Sequence, residues 1–510
     1  MAYYLGLDIG TSGAKALLVD AAGAKIASFA QEYPLSTPRP LWAEQNPADW
    51  WNACVVCTQN VLAQAGIDAS AIKGIGLSGQ MHGSVFLDKH NNVLRPALLW
   101  CDQRTQPECD WITAQVGREN LARLIGNPVL TGFTSPKIVW LRSNEPDLYA
   151  RVAKVLLPKD YIRFCLTGTF ATEVSDASGT ALFDVAGRKW SADMLAATDI
   201  PAAWLPDCME SMEVTAHVSA QSAMETGLAA GTPVVGGAGD QAAGAIGSGV
   251  VQSGVVSSTV GTSGVVFAYA SAPAVDPSLR LHTFCHAVPN AWHVMGVCLS
   301  AGGSLRWLRD TFFQPEGVVG RTLGVDPYEL MAQGAKTIAP GADGLIFLPY
   351  LTGERTPYPD PDARGVFFGL TLRHTRAHFT RAVMEGVAYA LNDTFQLFAE
   401  LGIPVAEVRA GGGGAKSEVW RQIHADVSGY PHAALAVEEG PALGAAILAM
   451  AGSHAYASVG DACHAVVHTR ETCVPQADAH GVYQKFYPLY RALYPALQAQ
   501  FAAVSDAVSL

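Results

Sequence analysis

Apolar residues in this chain come in short runs that read as buried strands, and two of those runs end in the same four residues. Residues 3–7 lead into Gly-Thr-Ser-Gly at 10–13 and a second run at 16–19; residues 255–260 lead into Gly-Thr-Ser-Gly at 261–264 and a run at 265–268. The copies lie 251 positions apart (261 − 10) in a chain of 510. Strand, small-residue turn and strand predict a hairpin whose tip exposes backbone N–H groups and hydroxyls, a concavity suited to phosphate oxygens. Two such tips predict two lobes gripping one phosphate chain. Two unrelated turns are the competing reading of so short a repeat; the matching flanks and the spacing favour the lobes.

The rest of the pattern alternates strand with helix. Residues 25–30 add a third strand to the first hairpin. A helix follows over 47–65, with Asn46 as cap, Pro47 in its first turn and Gly66 behind it. A strand at 74–77 then delivers Ser78, Gly79, Gln80, Met81, His82 and Gly83 to a loop. The stretch 126–200 reads as helix-rich, with 136–143 its clearest piece. A strand at 232–237 precedes a helix at 240–247. The second half repeats this order: hairpin, strand 293–297, helix 304–312, strand 344–349, and a helix at 380–401 with Val383, Val387, Leu391, Phe395 and Phe398 on its apolar positions. Then come strand 407–410, four glycines at 411–414, a helix at 417–427 and a terminal helix at 487–503. This alternation places the chain in the α/β class. Glycines cluster at 247–254, so domains are expected over 1–248 and 249–510.

Composition narrows the function classes. An apolar content of 49% with 15% charged residues supplies large cores, and a net charge of −12 argues against nucleic acid or an anionic membrane as the main partner. Runs of membrane-spanning length are absent and the first strand begins at the N-terminus, so a cytoplasmic protein is expected. Ten scattered cysteines form no framework; Cys54 and Cys57 read as a buried helix face.

Four constellations could carry chemistry. Asp8 ends the first strand just before its tip and Lys15 follows seven residues later, a carboxylate able to hold Mg²⁺ through water and a cation for phosphate. A turn-stabilising Asp and a solvated Lys are the plain alternative. Gly411 to Gly414 stand between strand and helix, where a nucleotide can approach backbone closely. Asp240, with Gln241, opens a helix after a buried strand; the helix end should keep its carboxylate ionised at low pKa and ready to accept a proton, unless it is merely an N-cap. Gln80, Met81 and His82 on one loop, with Trp100 and Asp102 on another, combine polar groups with a flat wall as a sugar pocket would.

Together these pieces resemble the FGGY carbohydrate kinases over nearly the whole chain. Gly6 to Gly13 with Lys15 is similar to the family's first phosphate motif, Val260 to Gly264 to its second, and Gly411 to Ser417 with Trp420 to its adenosine motif. Gly365, Phe367, Gly369, Leu370, His378, Phe379, Ala382, Val383, Met384 and Glu385 fit the long family signature. Thr134 to Leu141, with Lys137 and Trp140, fits an earlier one, departing only at Ser143.

The resemblance implies an actin-like ATPase fold of two ribonuclease-H-like domains with ATP, Mg²⁺ and sugar in the cleft between them. Asp240 is then the catalytic base, and Gln241, Met81, His82, Trp100, Asp102 and Phe133 meet the sugar. Thr11, Ser12, Gly13 and Lys15 face the terminal phosphates; Gly261, Thr262, Gly302, Gly413 and Ser417 follow the rest of the nucleotide. D-Xylulose is the first substrate candidate, gluconate or ribulose the second, and a non-enzymatic ATP-driven clamp the third reading. A second copy of the chain stays among the candidate partners. Only the first tip has an Asp upstream and a Lys downstream, so it should handle metal and terminal phosphate while the second binds through backbone and Thr262.

Overall fold

The structure, a computed structural model, describes residues 1–437 and 439–508. Its two large sheets share one plan. In the first, Lys25–Glu32, Gly13–Asp20 and Tyr3–Ile9 form an antiparallel meander, after which Ile72–Gly79 and Pro233–Val235 join in parallel and Val214–His217 closes the edge antiparallel. In the second, Trp292–Cys298, Gly264–Ala270 and Gly254–Val260 form the meander, Val405–Gly411 and His432–Leu435 run parallel, and Thr469–Cys473 closes the edge. His282–Cys285 extends the second sheet beyond its meander. This repeated order is the ribonuclease-H-like sheet, and the pair gives the actin-like architecture.

The meanders form because each strand fills a two-sided core. Leu5, Leu7 and Ile9 face helix Pro47–Ala65 through Trp50, Cys54, Cys57 and Val61, whereas Val256, Val260 and Val266 face Arg376–Glu400 through Val387 and Leu391. Cys54 and Cys57 are thus free, buried packing residues. The helix Pro47–Ala65 has the expected cap, Asn46 accepting from the Ala48 N–H, and ends on a left-handed Gly66.

One helix from the second half crosses over. Gly440–Gly452 leaves the second sheet and lies flat on the first; a Cβ on Gly6 would fall 1.9 Å from the Ala442 carbonyl oxygen, and one on Gly76 1.9 Å from that of Ala445. It also crosses Asp240–Gly247 so closely that a Cβ on Gly444 would meet the Ala243 carbonyl oxygen at 1.8 Å. The strands of the two sheets come from either side of residue 249, but this helix belongs physically with the first sheet. A cut at 248/249 therefore cannot separate two independent cores.

Two helices are longer than their patterns predict. Arg376–Glu400 begins four residues earlier than expected (380 − 376), stabilised by a reciprocal cap between Thr375 and His378. The terminal helix runs Ala477–Val508 through Pro488 and Pro495, because Tyr483, Tyr487, Tyr490 and Tyr494 bury one face in the second core and offset the hydrogen bonds that the prolines remove.

Candidate active site

The two hairpin tips open the cleft, and they are not equivalent. Ile9 pairs with Ala14 across the first, whereas Val260 pairs with Gly264 across the second. An identical tetrapeptide thus spans four residues in one tip and three in the other. Gly10 N–H donates to the Gly13 carbonyl at 3.0 Å, but Gly261 N–H donates to that of Ser263 at 2.9 Å.

The second tip is stitched to the start of Gly302–Phe312. Gly302 N–H donates to the Gly261 carbonyl at 2.8 Å, and the N–H groups of Ala301 and Gly303 both donate to the Thr262 carbonyl at 2.9 Å. A Cβ on Gly302 would lie 2.4 Å from the Gly261 oxygen, so only glycine permits the approach. Around this junction opens a cavity of about 410 Å³ lined by Gly261, Thr262, Gly302, Gly413 and Ser417. All five were expected along a nucleotide, from three separate stretches of sequence. Ser417 caps the helix Glu418–Ser428 by accepting from the Trp420 N–H at 3.4 Å, and Gly414 carries no side chain because a Cβ would lie 2.6 Å from Val260 Cγ1. Sequence reasoning missed Arg306, Tyr328 and Lys416 on the same wall. Arg306 was within reach: it lies one turn beyond Gly302 and donates to the Thr262 hydroxyl at 3.3 Å.

The first tip is held by loops of its own lobe. Thr11 accepts from Trp100 Nε1 at 2.9 Å through its hydroxyl and from Gln45 Nε2 at 2.7 Å through its carbonyl. Ser12 and Gly13 complete the tip, Ser12 giving its carbonyl to Tyr33 N–H. Asp8 and Lys15 stand opposite each other in register. Burial raises the Asp8 pKa against the opposing pull of the Ser78 hydroxyl and the Lys15 charge, and Asp8 Oδ1 is buried with no hydrogen-bond partner. The Lys15 ammonium, expected at the terminal phosphates, is instead ion-paired with Glu439, which also holds Lys25 at 2.8 Å. Glu439 was not legible from sequence as its partner, being 424 positions away.

Asp240 opens the helix Asp240–Gly247, but Gly239, not Asp240, occupies the cap position. The expectation of a low pKa is overturned: burial, and then the negative charge of Asp8, push Asp240 up to about 7. The favourable helix end is outweighed by lost hydration and a like charge. Gln241 reaches back to Asp240 Oδ1 at 3.4 Å. Gly239 N–H donates to Ser175 Oγ at 3.2 Å, and Ser175 Oγ donates to Glu173 at 2.9 Å. Behind Glu173 lies a fully buried ammonium, Lys159, at 2.6 Å from Asp160, 3.4 Å from Glu173 and 3.5 Å from Asp176. This network fixes the backbone from which Asp240 projects.

Met81 packs on that backbone: a Cβ on Gly239 would meet Met81 Cγ at 2.8 Å. His82 has a left-handed backbone, φ 69°, and its Nδ1–H donates to the Gly179 carbonyl at 2.7 Å, which leaves Nε2 as an acceptor. Burial, followed by the Lys137 charge, lowers its pKa to about 3, so the imidazole is neutral at physiological pH. Arg355 of the second lobe adds to that lowering, a residue the sequence reading passed over. Phe133 stacks obliquely on His82, ring centroids 4.8 Å apart, and His282 and Phe284 of the second lobe complete the aromatic wall.

Asp102 needs correction as a sugar contact. It is fully buried, and its oxygens accept from Arg104 Nε and Nη2, the Arg104 N–H and the Ala43 N–H at 2.7–3.0 Å. A carboxylate so saturated is committed to the loop that carries Trp100, whereas Trp100 itself is 43% exposed.

The chain is similar to known proteins over nearly its whole length. The model of the FGGY family of carbohydrate kinases matches residues 3–247 with its N-terminal domain and 256–453 with its C-terminal domain. The xylulose kinase of Escherichia coli (strain K12) is 39% identical over 497 residues, 97% of this chain and 99% of the relative. A gluconokinase of Bacillus subtilis (strain 168) is 31% identical over 506 residues, 99% of this chain and 98% of the relative. The crystal structure of a xyloylose kinase from Brucella ovis superposes with a TM-score of 0.90 at 40% identity, covering 98% of this chain and all of that one.

Proposed function

The chain belongs to the FGGY family of carbohydrate kinases, and from that premise we propose that it transfers the γ-phosphoryl group of ATP to the terminal hydroxyl of D-xylulose, giving D-xylulose 5-phosphate and ADP. The observation that carries the choice of site is the contact of Met81 with Gly239, which sets the sugar-reading loop directly against the residue that bears Asp240. The xylulose kinases among the relatives support the choice of sugar.

The nucleotide lies along Gly261, Thr262, Gly302, Gly413 and Ser417, with its terminal phosphates toward Thr11, Ser12 and Gly13. His82 accepts a sugar hydroxyl at Nε2, Phe133 and Trp100 form the flat walls, and Gln241 steadies the hydroxyl that reacts. Asp240 accepts the proton of that hydroxyl as its oxygen bonds to phosphorus and the bond to the ADP oxygen breaks. In a largely dissociative transfer the proton leaves late, so a base near pKa 7 suits the task. Kinases of this family use a divalent cation, and Mg²⁺ fits here: Asp8 presents an unpartnered oxygen, and no group of three metal-ligating side chains forms among the described residues. Asp8 would hold such an ion through water, and the ion would supply positive charge against the phosphates. No helix among the described residues is long and apolar enough to cross a membrane; a cytoplasmic location and a homodimer are proposals.

A sugar acid is the second reading. The Arg355 charge at the His82 end of the pocket would suit a carboxylate, and the gluconokinase relative points the same way. ADP release measured over D-xylulose, D-ribulose, gluconate and glycerol separates the two. The highest kcat/KM is expected for D-xylulose; a higher value for gluconate would replace it, and no turnover with any sugar despite ATP binding would favour a clamp.

A further inference from the structure

Lys137 lies in the first turn of Thr134–Asn144 and has no exposed surface. Among the described residues no carboxylate comes within ion-pair distance of it. Its three N–H groups go to backbone carbonyls: Gly132, Phe133 at 3.0 Å, and His82 at 3.3 Å. Burying an ammonium with no counter-ion in contact is costly: burial lowers the Lys137 pKa to about 7 against the opposing charge of Asp102, and the three carbonyls meet its three donors.

Those carbonyls belong to two separate segments. Gly132 and Phe133 form the turn that carries the aromatic wall; His82 is the residue with the left-handed backbone on the sugar-reading loop. Thr134 Oγ donates to the same His82 carbonyl at 3.0 Å. From the other side, Gly179 holds the His82 ring, and it must be glycine because a Cβ there would sit 2.3 Å from the imidazole. A left-handed backbone on a β-carbon-bearing residue is strained and persists only when its surroundings hold it.

We propose that Lys137 is a positioning residue for sugar recognition: it ties the His82 loop to the Phe133 turn and so fixes where His82 Nε2 and the Phe133 ring stand relative to each other. The proposal rests on the reading that His82 and Phe133 face the sugar. Lys137 does not itself touch substrate. Its loss therefore widens the sugar pocket and leaves the nucleotide cavity, built from residues of the other lobe, as it was.

Steady-state kinetics of Lys137→Met and Lys137→Gln, with D-xylulose and ATP varied separately, test it. Leaving a buried carbonyl unpaired and freeing the loop should raise the sugar KM by about tenfold or more. The ATP KM and ATP hydrolysis without sugar should stay within about twofold, a split that general destabilisation does not produce. Thr134→Val removes only the second donor to the His82 carbonyl and should raise the sugar KM in the same direction by about two- to fivefold; it decides the matter if both Lys137 variants fail to fold. A folded Lys137 variant with unchanged sugar KM, or one in which the sugar and ATP constants rise together, overturns the proposal, as does an unchanged sugar KM in Thr134→Val. His82→Ala is the control: if it leaves the sugar KM unchanged, the reading of the sugar site fails, and if it raises that KM while Lys137→Met does not, only the role of Lys137 fails.

Discussion

Trp100 donates its indole N–H to the Thr11 hydroxyl at 2.9 Å, so the proposed wall of the sugar pocket is hydrogen-bonded to the tip proposed to face the terminal phosphates. Trp100→Phe keeps the ring face and breaks this link. We expect kcat/KM for sugar to fall about three- to tenfold, as for loss of one hydrogen bond, while the affinity for ADP, measured by titration calorimetry, stays unchanged.

The pH profile follows from Asp240. Its folded pKa is raised to about 7, first by burial and then by Asp8, so the base is increasingly protonated as pH falls below 7 and kcat/KM for sugar falls with it. Removing the Asp8 charge lowers the Asp240 pKa. The acid limb of Asp8→Asn should accordingly move to lower pH, whatever its remaining rate, in a kcat/KM profile from pH 5 to 9.

The same shift bears on stability. A carboxyl whose pKa is raised on folding binds more protons in the folded state between its unfolded value near 4 and about 7, so stability declines as pH rises through that window. Asp240→Asn removes this cost and should stabilise the ligand-free protein at pH 8 by roughly 1–2 kcal/mol, the shift being discounted for the part of Asp240 open to the cleft. Thermal unfolding at pH 5 and pH 8 checks it: the gain should be larger at pH 8.

Gly302→Ala forces a Cβ to 2.4 Å from the Gly261 carbonyl oxygen. The second tip and the helix Gly302–Phe312 must separate, which would loosen the proposed nucleotide cavity but not the proposed sugar pocket. The ATP KM should rise about tenfold or more with the sugar KM unmoved, in line with a strain of about 1–3 kcal/mol.

Gly444→Ala places a Cβ at 1.8 Å from the Ala243 carbonyl oxygen, where Gly440–Gly452 crosses Asp240–Gly247. Backbone cannot yield cheaply there. A destabilisation of about 2–4 kcal/mol is expected from overpacking, seen as a lower denaturant midpoint, with Gly460→Ala as a control in which the added carbon meets nothing closer than 3.6 Å.

Much of this architecture was legible because it is written locally. The two hairpins, the Asn46-capped helix, the glycine run at 411–414 and the loop from Gln80 to Gly83 each announce themselves within one short stretch of chain. What escaped depends on partners far apart in the chain. The raised pKa of Asp240 escaped because its causes, burial first and then the charge of Asp8, 232 positions away (240 − 8), exist only in the folded chain. Asp102 looked like a pocket residue because neither its burial nor the bond it accepts from Ala43, 59 positions away, can be read from spacing, although Arg104, two residues on, supplies its other donors. The crossing of Gly440–Gly452 onto the first sheet leaves only a trace, the small residues Gly6, Gly76 and Gly444 that the contact demands. The repeated tetrapeptide itself changed meaning, for identical residues adopt different registers once Gly302 and Gly303 bind the second tip and Trp100 and Gln45 bind the first.

The most direct test of the account is the turnover of Asp240→Asn on D-xylulose, followed by ADP release with sugar and ATP both saturating and binding of each confirmed by calorimetry. If Asp240 takes the proton, kcat falls by about 10²–10⁴ while both ligands still bind. A fall of less than tenfold with both ligands bound would contradict it.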